Sequence, residues 1–427
     1  MASFHFGYKI RGPSLTKPSY RKHEYFFPFL CVIGAFAILS STMSKNPVLN
    51  PFAESLGTPE AVMGFIAAAS TIPGILISLP AGSLSDIFER ERVLLASSIV
   101  FASAPFLYLP IGSWWQLILV RFYHGFATAI FVPVAREAIA EHYPSKRGEK
   151  ISTFTSATIV GRSIAPFLGG FILSITIWNY HTYYLVVSVA GLAALLTTMM
   201  LVKNKGGEIK IQTASIRSRT SDQNAELRPI HGWREVMRNP GIIVATAIDA
   251  AAYYVYGAVE FFLVGYLKKI ALLDASMIGI ITGMQIALIP VLSPFFGRLS
   301  DKVGRKIPIA TGLVIGGLPL LAISQTTQFL PLLVISMTYG LGFVLVTSST
   351  PALVGDVAHK ESYGAAMGFL ATIMDVGQTL GPIVTGFLLA MFGYSGSFAS
   401  LGLILLGFCV FFVVYQKLAS SKQTLDR

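Results

Sequence analysis

The sequence predicts an all-α integral membrane protein, with twelve transmembrane helices in two pseudo-symmetric six-helix bundles and both termini cytoplasmic. Three observations carry that prediction. The 427-residue chain is 53% hydrophobic and 12% charged. That is about half the charged share of a soluble domain, too little to cover a water-facing surface. The apolar residues gather in runs long enough to cross a bilayer, which takes roughly 20 residues of helix. Finally, a loop between two runs, GRLSDKVGRK at 297–306, has an upstream copy, GSLSDIFERER at 82–92. Asp86 and Asp301 are 215 residues apart (301 − 86), about half the chain, so the protein consists of two repeated halves.

Taken in order, residues 1–25 form a basic N-terminal segment that leads into an apolar run with no small-residue cleavage pattern, so it is kept as the lead-in to a first helix. Runs at 26–50, 61–83, 93–111, 114–139, 150–176 and 180–202 make the first bundle, 26–202. Residues 203–240 are the one long polar stretch. They are predicted to be a flexible cytoplasmic linker with a short interfacial helix near Trp233. Runs at 241–267, 275–298, 307–325, 329–355, 361–391 and 395–416 make the second bundle, 241–416, and 417–427 is a cytoplasmic tail. Lipid admits only helices or closed barrels, and these runs lack the ten-residue alternation of barrel strands.

Orientation follows from the 32 Lys and Arg. All but Lys45, Arg121, Arg162, Lys268 and Lys269 fall in 1–25, 86–92, 136–150, 203–240, 298–306 and 417–427 or at Lys360. These segments share one face if the N-terminus is inside, where short loops collect positive charge. The net charge of +11 is therefore an orientation signal, which argues against a nucleic-acid partner. Cys31 and Cys409 sit far apart inside apolar runs, as packed thiols without disulfide or metal-ligand spacing. No Gly-rich phosphate loop of the GxxxxGK[ST] kind is present, so no ATP motor is built in. The absence of a nucleophile–base set or metal cluster argues against an enzyme, and no cofactor is expected.

The repeat extends further. VRFYHGFATAIFVP (120–133) aligns with ISMTYGLGFVLVTS (335–348), and GRSIAPFLGG (161–170) with GQTLGPIVTG (377–386). In these features the chain resembles the major facilitator superfamily over essentially its whole length, and within it the twelve-helix drug:proton antiporter group. That family's loop between the second and third helices reads Gly-x-Leu-small-Asp-basic-x-Gly-Arg-basic. Gly297, Leu299, Ser300, Asp301, Lys302, Gly304, Arg305 and Lys306 match it throughout. In the first half Gly82, Leu84, Ser85, Asp86 and Arg90 match, while Ile87, Glu89 and Glu91 depart. The resemblance implies a conformational latch, in which an Asp at a helix end makes charge-assisted bonds that a moving helix can break. Arg121 and Gly125 resemble the family's fourth-helix Arg-x-x-x-Gly pattern. Gly161, Pro166, Gly169 and Gly170 resemble the fifth-helix pattern of proton-exchanging exporters, with Ala165 in place of one glycine. Small residues also serve close helix packing in any membrane bundle.

Ionisable groups at membrane depth are costly and point to function. Asp249, Tyr253, Tyr256 and Glu260 recur at i, i+4, i+7 and i+11, on one face of the seventh helix, and are expected to line a central cavity. Arg121, His124 and Thr128 share a face of the fourth helix, while Arg162, Asp375 and Gln285 lie near mid-span of the fifth, eleventh and eighth. Lys45, Arg121, Arg162, Tyr253, Tyr256 and Gln285 are the expected substrate-binding residues. The carboxylates Asp249, Glu260 and Asp375 are the expected proton carriers, with Asp249 and Asp375 foremost. Lys45 and Glu260 precede Asp86 and Asp301 by the same 41 residues (86 − 45 and 301 − 260). They either form an outer gate ion pair or leave Lys45 to snorkel toward the interface.

Two functions stay open at this point. One is proton-coupled export of small amphipathic or drug-like molecules. The other is symport or exchange of organic anions, which Lys45, Arg121 and Arg162 would serve. A receptor or lipid flippase on the same scaffold is a third class. The expected partners are a small-molecule substrate, protons and the lipid bilayer of the cell membrane, with the chain acting as a monomer.

Overall fold

The computed structural model describes residues 25–78, 90–205, 236–359 and 362–425. Among these, ten helical stretches are long and apolar enough to cross a bilayer, and a shorter apolar helix covers Arg92–Leu107. In chain order the helices are α1 (Phe26–Met43), α2 (Leu49–Ser55), α3 (Glu60–Ala68), α4 (Ile72–Ser78), α5 (Arg90–Leu107), α6 (Trp114–His142) and α7 (Arg147–Ile175). They continue with α8 (Tyr180–Lys205), α9 (Pro240–Lys269), α10 (Ala275–Val303), α11 (Lys306–Ala322), α12 (Phe329–Val357) and α13 (Tyr363–Leu425). The expected interfacial helix near Trp233 and most of the linker lie outside the described residues.

Local chemistry sets the boundaries. Asn239 caps α9, its side chain accepting from the amides of Gly241 at 3.0 Å and Ile242 at 3.4 Å, with Pro240 at the first helical position. Asp274 caps α10 in the same way, accepting from the Ser276 amide at 2.8 Å. The run expected at 26–50 breaks after Met43 into a turn, and only its last two residues enter α2; Pro47, which has no amide hydrogen, lies in the break. The last two expected runs appear as one long stretch, α13, with a non-helical point at Gly393 (φ 64°, ψ −172°). A left-handed φ there suits glycine, and the chain changes direction between the two predicted spans.

The two halves repeat one packing plan. In the first, α1 lies against α7 and α8, and α5 against α6 and α8. In the second, α9 lies against α12 and α13, and α11 against the same two helices. The halves meet where α3 packs on α13 and α10 on α7. Glycines repeat the plan at atomic scale. A methyl group on Gly64 would strike the carbonyl of Pro382, and one on Gly279 would strike that of Pro166. Gly161 approaches Ala35 in the same way that Gly377 approaches Ala250. Close backbone approach of this kind holds helices together where lipid supplies no hydrophobic drive. Large side chains such as Val189, Val291, Leu330 and Met391 point outward and are 64–72% exposed, giving the molecule an apolar exterior.

Its two ends differ. At the end that carries the turns near 45, 177 and 271, bonds cross between the halves. Lys269 reaches Glu54 at 3.2 Å and Glu60 at 3.5 Å, and Ser174 donates to Asp274 at 2.9 Å. Lys268 donates to the Tyr180 hydroxyl at 3.2 Å and sits 4.3 Å above the Trp178 ring. At the other end Arg90 pairs with Glu137 and Glu141, and Arg305 with Asp301 and Asp356, each set inside one half.

Candidate functional site

The site lies between the halves. Lys45, two residues past the end of α1, places Nζ 2.5 Å from Glu260 Oε2 on α9, and their side chains are 18% and 8% exposed. The internal repeat makes these two residues equivalent, 215 positions apart. The predicted ion pair is therefore present, and Lys45 does not snorkel in this conformation.

The α9 stripe, expected to line a central cavity, has two of its members, Asp249 and Tyr256, packed inside the protein by contacts with α12. Asp249 is buried and accepts a hydrogen bond from the Thr350 hydroxyl on α12. Tyr256 is buried and stacks on Phe343 with ring centroids 4.5 Å apart. Tyr253 meets Phe343 edge-on at 5.2 Å and is only partly buried. The three rings form an aromatic wall of which Tyr253 is the open part.

Two membrane-depth charges stay free of partners among the described residues. Arg162 on α7 is exposed and has no hydrogen bond or ion pair among the described residues. Asp375 on α13 is partly buried, and its carboxylate likewise has no partner among the described residues.

Arg121 and Gln285, expected among the substrate-binding residues, are both buried. Arg121 is 2% exposed and donates to the Ser70 hydroxyl, while its Nε has no partner. One turn on, His124 lies between Phe101 and Tyr108, each ring 6.2 Å away, with neither imidazole nitrogen bonded. The repeat explains both positions: Gly125 lets α6 close onto the Ser70 backbone, and Gly340 lets α12 close onto that of Gln285. These two polar residues are turned into helix contacts within their own bundles.

The glycines of the fifth-helix pattern sit at contacts. Gly161 faces α1, Gly170 lies against Gly279, Gly169 meets Pro47 and Tyr183, and Pro166 presents its carbonyl to Gly279. In the latch loop, Gly82 and Asp86 lie outside the described residues. Gly297 is open to space, and Gly304 takes φ 84°, a left-handed value that explains glycine there. Arg305 binds Asp301 and Ser300 and reaches Asp356 Oδ2 at 3.0 Å. The hydrogen bond to Asp356 holds the Arg305 guanidinium above its ordinary pKa. Asp356 was not anticipated, nor was Glu141, which pairs with Arg90. The signal was available, since Glu141 and Asp356 stand 215 residues apart, as do Arg90 and Arg305.

The family model described as Major Facilitator Superfamily matches residues 30–272 and 250–426. An uncharacterized MFS-type transporter of Methanocaldococcus jannaschii is 26% identical over 379 residues, covering 87% of this chain and 93% of its own. Multidrug resistance protein 2 of Bacillus subtilis is 23% identical, covering 80% and 83%. Quinolone resistance protein NorA of Staphylococcus aureus is 22% identical, covering 93% and 97%. Among solved structures, a bacterial homolog of the human lysosomal transporter Spinster, inward-facing and unoccupied, superposes with TM-score 0.74 at 16% identity over 93% of this chain and 96% of its own. The nucleoside transporter NupG superposes with TM-score 0.71 at 14% identity, over 91% and 98%.

Proposed function

The chain belongs to the Major Facilitator Superfamily, and from that premise we propose that it is a proton-coupled exporter of small amphipathic molecules. It is a membrane transporter and not an enzyme. In this reading it works as a monomer of twelve spans with both termini in the cytoplasm, α13 supplying two spans that meet at Gly393 and α5 supplying the third.

The observation that carries the reading is the state of the three membrane-depth carboxylates. Glu260 is taken by Lys45 and Asp249 by Thr350. Asp375, partly buried on α13, has no partner for its carboxylate among the described residues. A carboxylate so placed can hold either a proton or the cationic part of a substrate, and competition between the two couples their opposite movements. The outer end is the one tied across the halves by Lys45–Glu260 and Lys269–Glu54, so the conformation is closed to the outside. Opening outward breaks those bonds. The Arg305–Asp356 and Arg90–Glu141 pairs on the cytoplasmic side each bind a loop to a helix end within one half, which lets a half move as a unit. The multidrug and quinolone resistance relatives support export as the direction.

Proteoliposomes carrying an imposed pH gradient test the proposal. A cationic fluorescent dye should move against its gradient in exchange for protons, and transport indifferent to the pH gradient would refute the coupling. The second reading, exchange of organic anions, is favoured by one observation, the exposed Arg162, which has no partner among the described residues. Uptake of a carboxylate substrate in preference to the dye would select it.

A further inference from the structure

The second span of each half packs against the other half, and only one of the two is broken. In the second half, α10 runs without interruption from Ala275 to Val303, although it contains Pro290 and Pro294. In the first half, α3 ends at Ala68 and α4 begins at Ile72, with Ala69, Ser70 and Thr71 in a turn between them. The residues account for the break. Pro73 has no amide hydrogen for the Ala69 carbonyl, and its ring crowds that carbonyl. Thr71 takes the Ala68 carbonyl instead, through its amide at 2.9 Å and its hydroxyl at 2.8 Å. The opened backbone is thereby satisfied at membrane depth. One repeat on from Ser70 and Thr71, α10 carries Gln285 and Ile286 (285 − 70 = 215), and Ile286 has no hydroxyl for this purpose.

The two sides of the break hold different partners. The nine-residue α3 lies chiefly against α13 of the second half. There Gly64 lies against the Pro382 carbonyl, and the Phe65 and Phe387 rings meet edge-on at 6.0 Å. In contrast, α4 lies chiefly on α6 of its own half. Gly125 of α6 closes on the Ser70 backbone and the Pro73 ring, and Arg121 donates to the Ser70 hydroxyl. At the root of α3 the Thr71 hydroxyl meets that of Thr379 on α13 at 2.7 Å. In the aligned repeats Ser163 stands where Thr379 does, and its hydroxyl is buried with no partner among the described residues. This hydrogen bond across the halves is therefore not repeated at Ser163.

We propose that Ala69–Thr71 is a hinge and α3 a lid. When the end tied by Lys269 opens, α3 stays on α13 and bends away from α4, and the rest of the first half moves without it. Rigid movement of the whole half would have to part α3 and α13, whose backbones are in close contact at Gly64. Bending occurs instead at a turn that already lacks helical hydrogen bonds, and the Thr71–Thr379 bond pins the root of the lid.

Pulsed electron resonance on the full chain in lipid nanodiscs tests this, with Cys31 and Cys409 replaced by Ser. Spin labels go at Pro59→Cys before α3, Thr182→Cys on α8 and Thr327→Cys in the second half, taken in pairs; all three positions are exposed. The distances are compared with and without Lys45→Ala, which removes the ion pair at that end. At 1.5 Å per residue the lid is about 14 Å long, so a swing of about 20° moves its tip by roughly 5 Å. The Pro59–Thr182 distance should lengthen by about that amount, while Pro59–Thr327 stays unchanged. An unchanged Pro59–Thr182 distance overturns the hinge, whether or not the halves part, and so does a Pro59–Thr327 distance that lengthens together with Thr182–Thr327. Pro73→Ala restores an amide for the Ala69 carbonyl and should remove most of the swing; an undiminished swing would place the bend elsewhere and overturn the assignment to 69–71. The distances are read without substrate or gradient, so the outcome is independent of the export reading.

Discussion

Neutralising Lys45 should open the outer end. In the structure its ammonium lies 2.5 Å from Glu260, and only 8% of the Glu260 side chain is exposed. At an effective dielectric near 20, opposite charges in contact attract by about 4–7 kcal/mol. Desolvation of both groups offsets part of this, but removing one partner leaves the other buried and unpaired, at a typical cost of about 3–5 kcal/mol. Lys45 retains 18% exposure, so a value of about 2–4 kcal/mol is expected for Lys45→Ala. Only the outward-closed state bears this cost, because opening hydrates Glu260. The closed-to-open ratio should therefore fall by roughly thirty- to several-hundred-fold. Spin labels at Ser55→Cys and Thr327→Cys, one in each half at that end, would read the change by pulsed electron resonance in a background with Cys31 and Cys409 replaced by Ser. The parent should give a short distance, Lys45→Ala and Glu260→Ala a longer one, and the swap Lys45→Glu with Glu260→Lys the short distance again. Distances and transport that stay at parental values in the single variants would refute the gate. So would a swap that restores nothing the single variants lost.

Asp375→Asn should abolish exchange driven by a pH gradient while preserving downhill movement of substrate, measured in proteoliposomes; undiminished proton-driven transport would remove Asp375 from the mechanism. Arg305→Ala should weaken the loop-to-helix tie within the second half only modestly, by about 1 kcal/mol, because Asp301 and Asp356 are 62% and 57% exposed and water screens them; a small drop in thermal midpoint that shrinks as salt is raised would check it. Gly170→Val should be severe: even a methyl group there would lie 2.7 Å from the Gly279 Cα at the junction of the halves, and overpacking of this kind costs about 1–3 kcal/mol or more, read as a lower thermal midpoint. Thr350→Val should leave the Asp249 carboxylate without its only side-chain donor among the described residues, costing about 1–3 kcal/mol, whereas Thr350→Ser should be tolerated.

Several of these features were legible in the residues alone. The repeat makes Lys45 and Glu260 equivalent in the sequence itself, and the i, i+4, i+7, i+11 spacing keeps Asp249, Tyr253, Tyr256 and Glu260 off the lipid. Asp356 and Glu141 could have been found in the same way, as acids one repeat apart at equivalent helix ends. Arg121 and Gln285 were not legible as buried groups. Mid-span polarity says that a side chain avoids lipid. It does not distinguish an open cavity from the inside of a bundle, and here Gly125 and Gly340 decided the matter by letting neighbouring helices close in.

Apolar runs, loop charge and a duplicated motif determined by themselves that this chain is a two-fold repeated bundle of membrane helices. Lipid permits almost no other backbone solution for such runs, and the repeat is written in residue types at fixed offsets. Which charges remain available was decided only by tertiary structure. Asp249 finds Thr350 across 101 residues of chain, and Arg121 finds Ser70 across 51. Those partnerships depend on how far each helix is rotated and how closely its neighbours approach, which no local pattern specifies. Arg162 and Asp375 stand out because, among the described residues, the packed helices bring a partner to each of the other four charges and none to them.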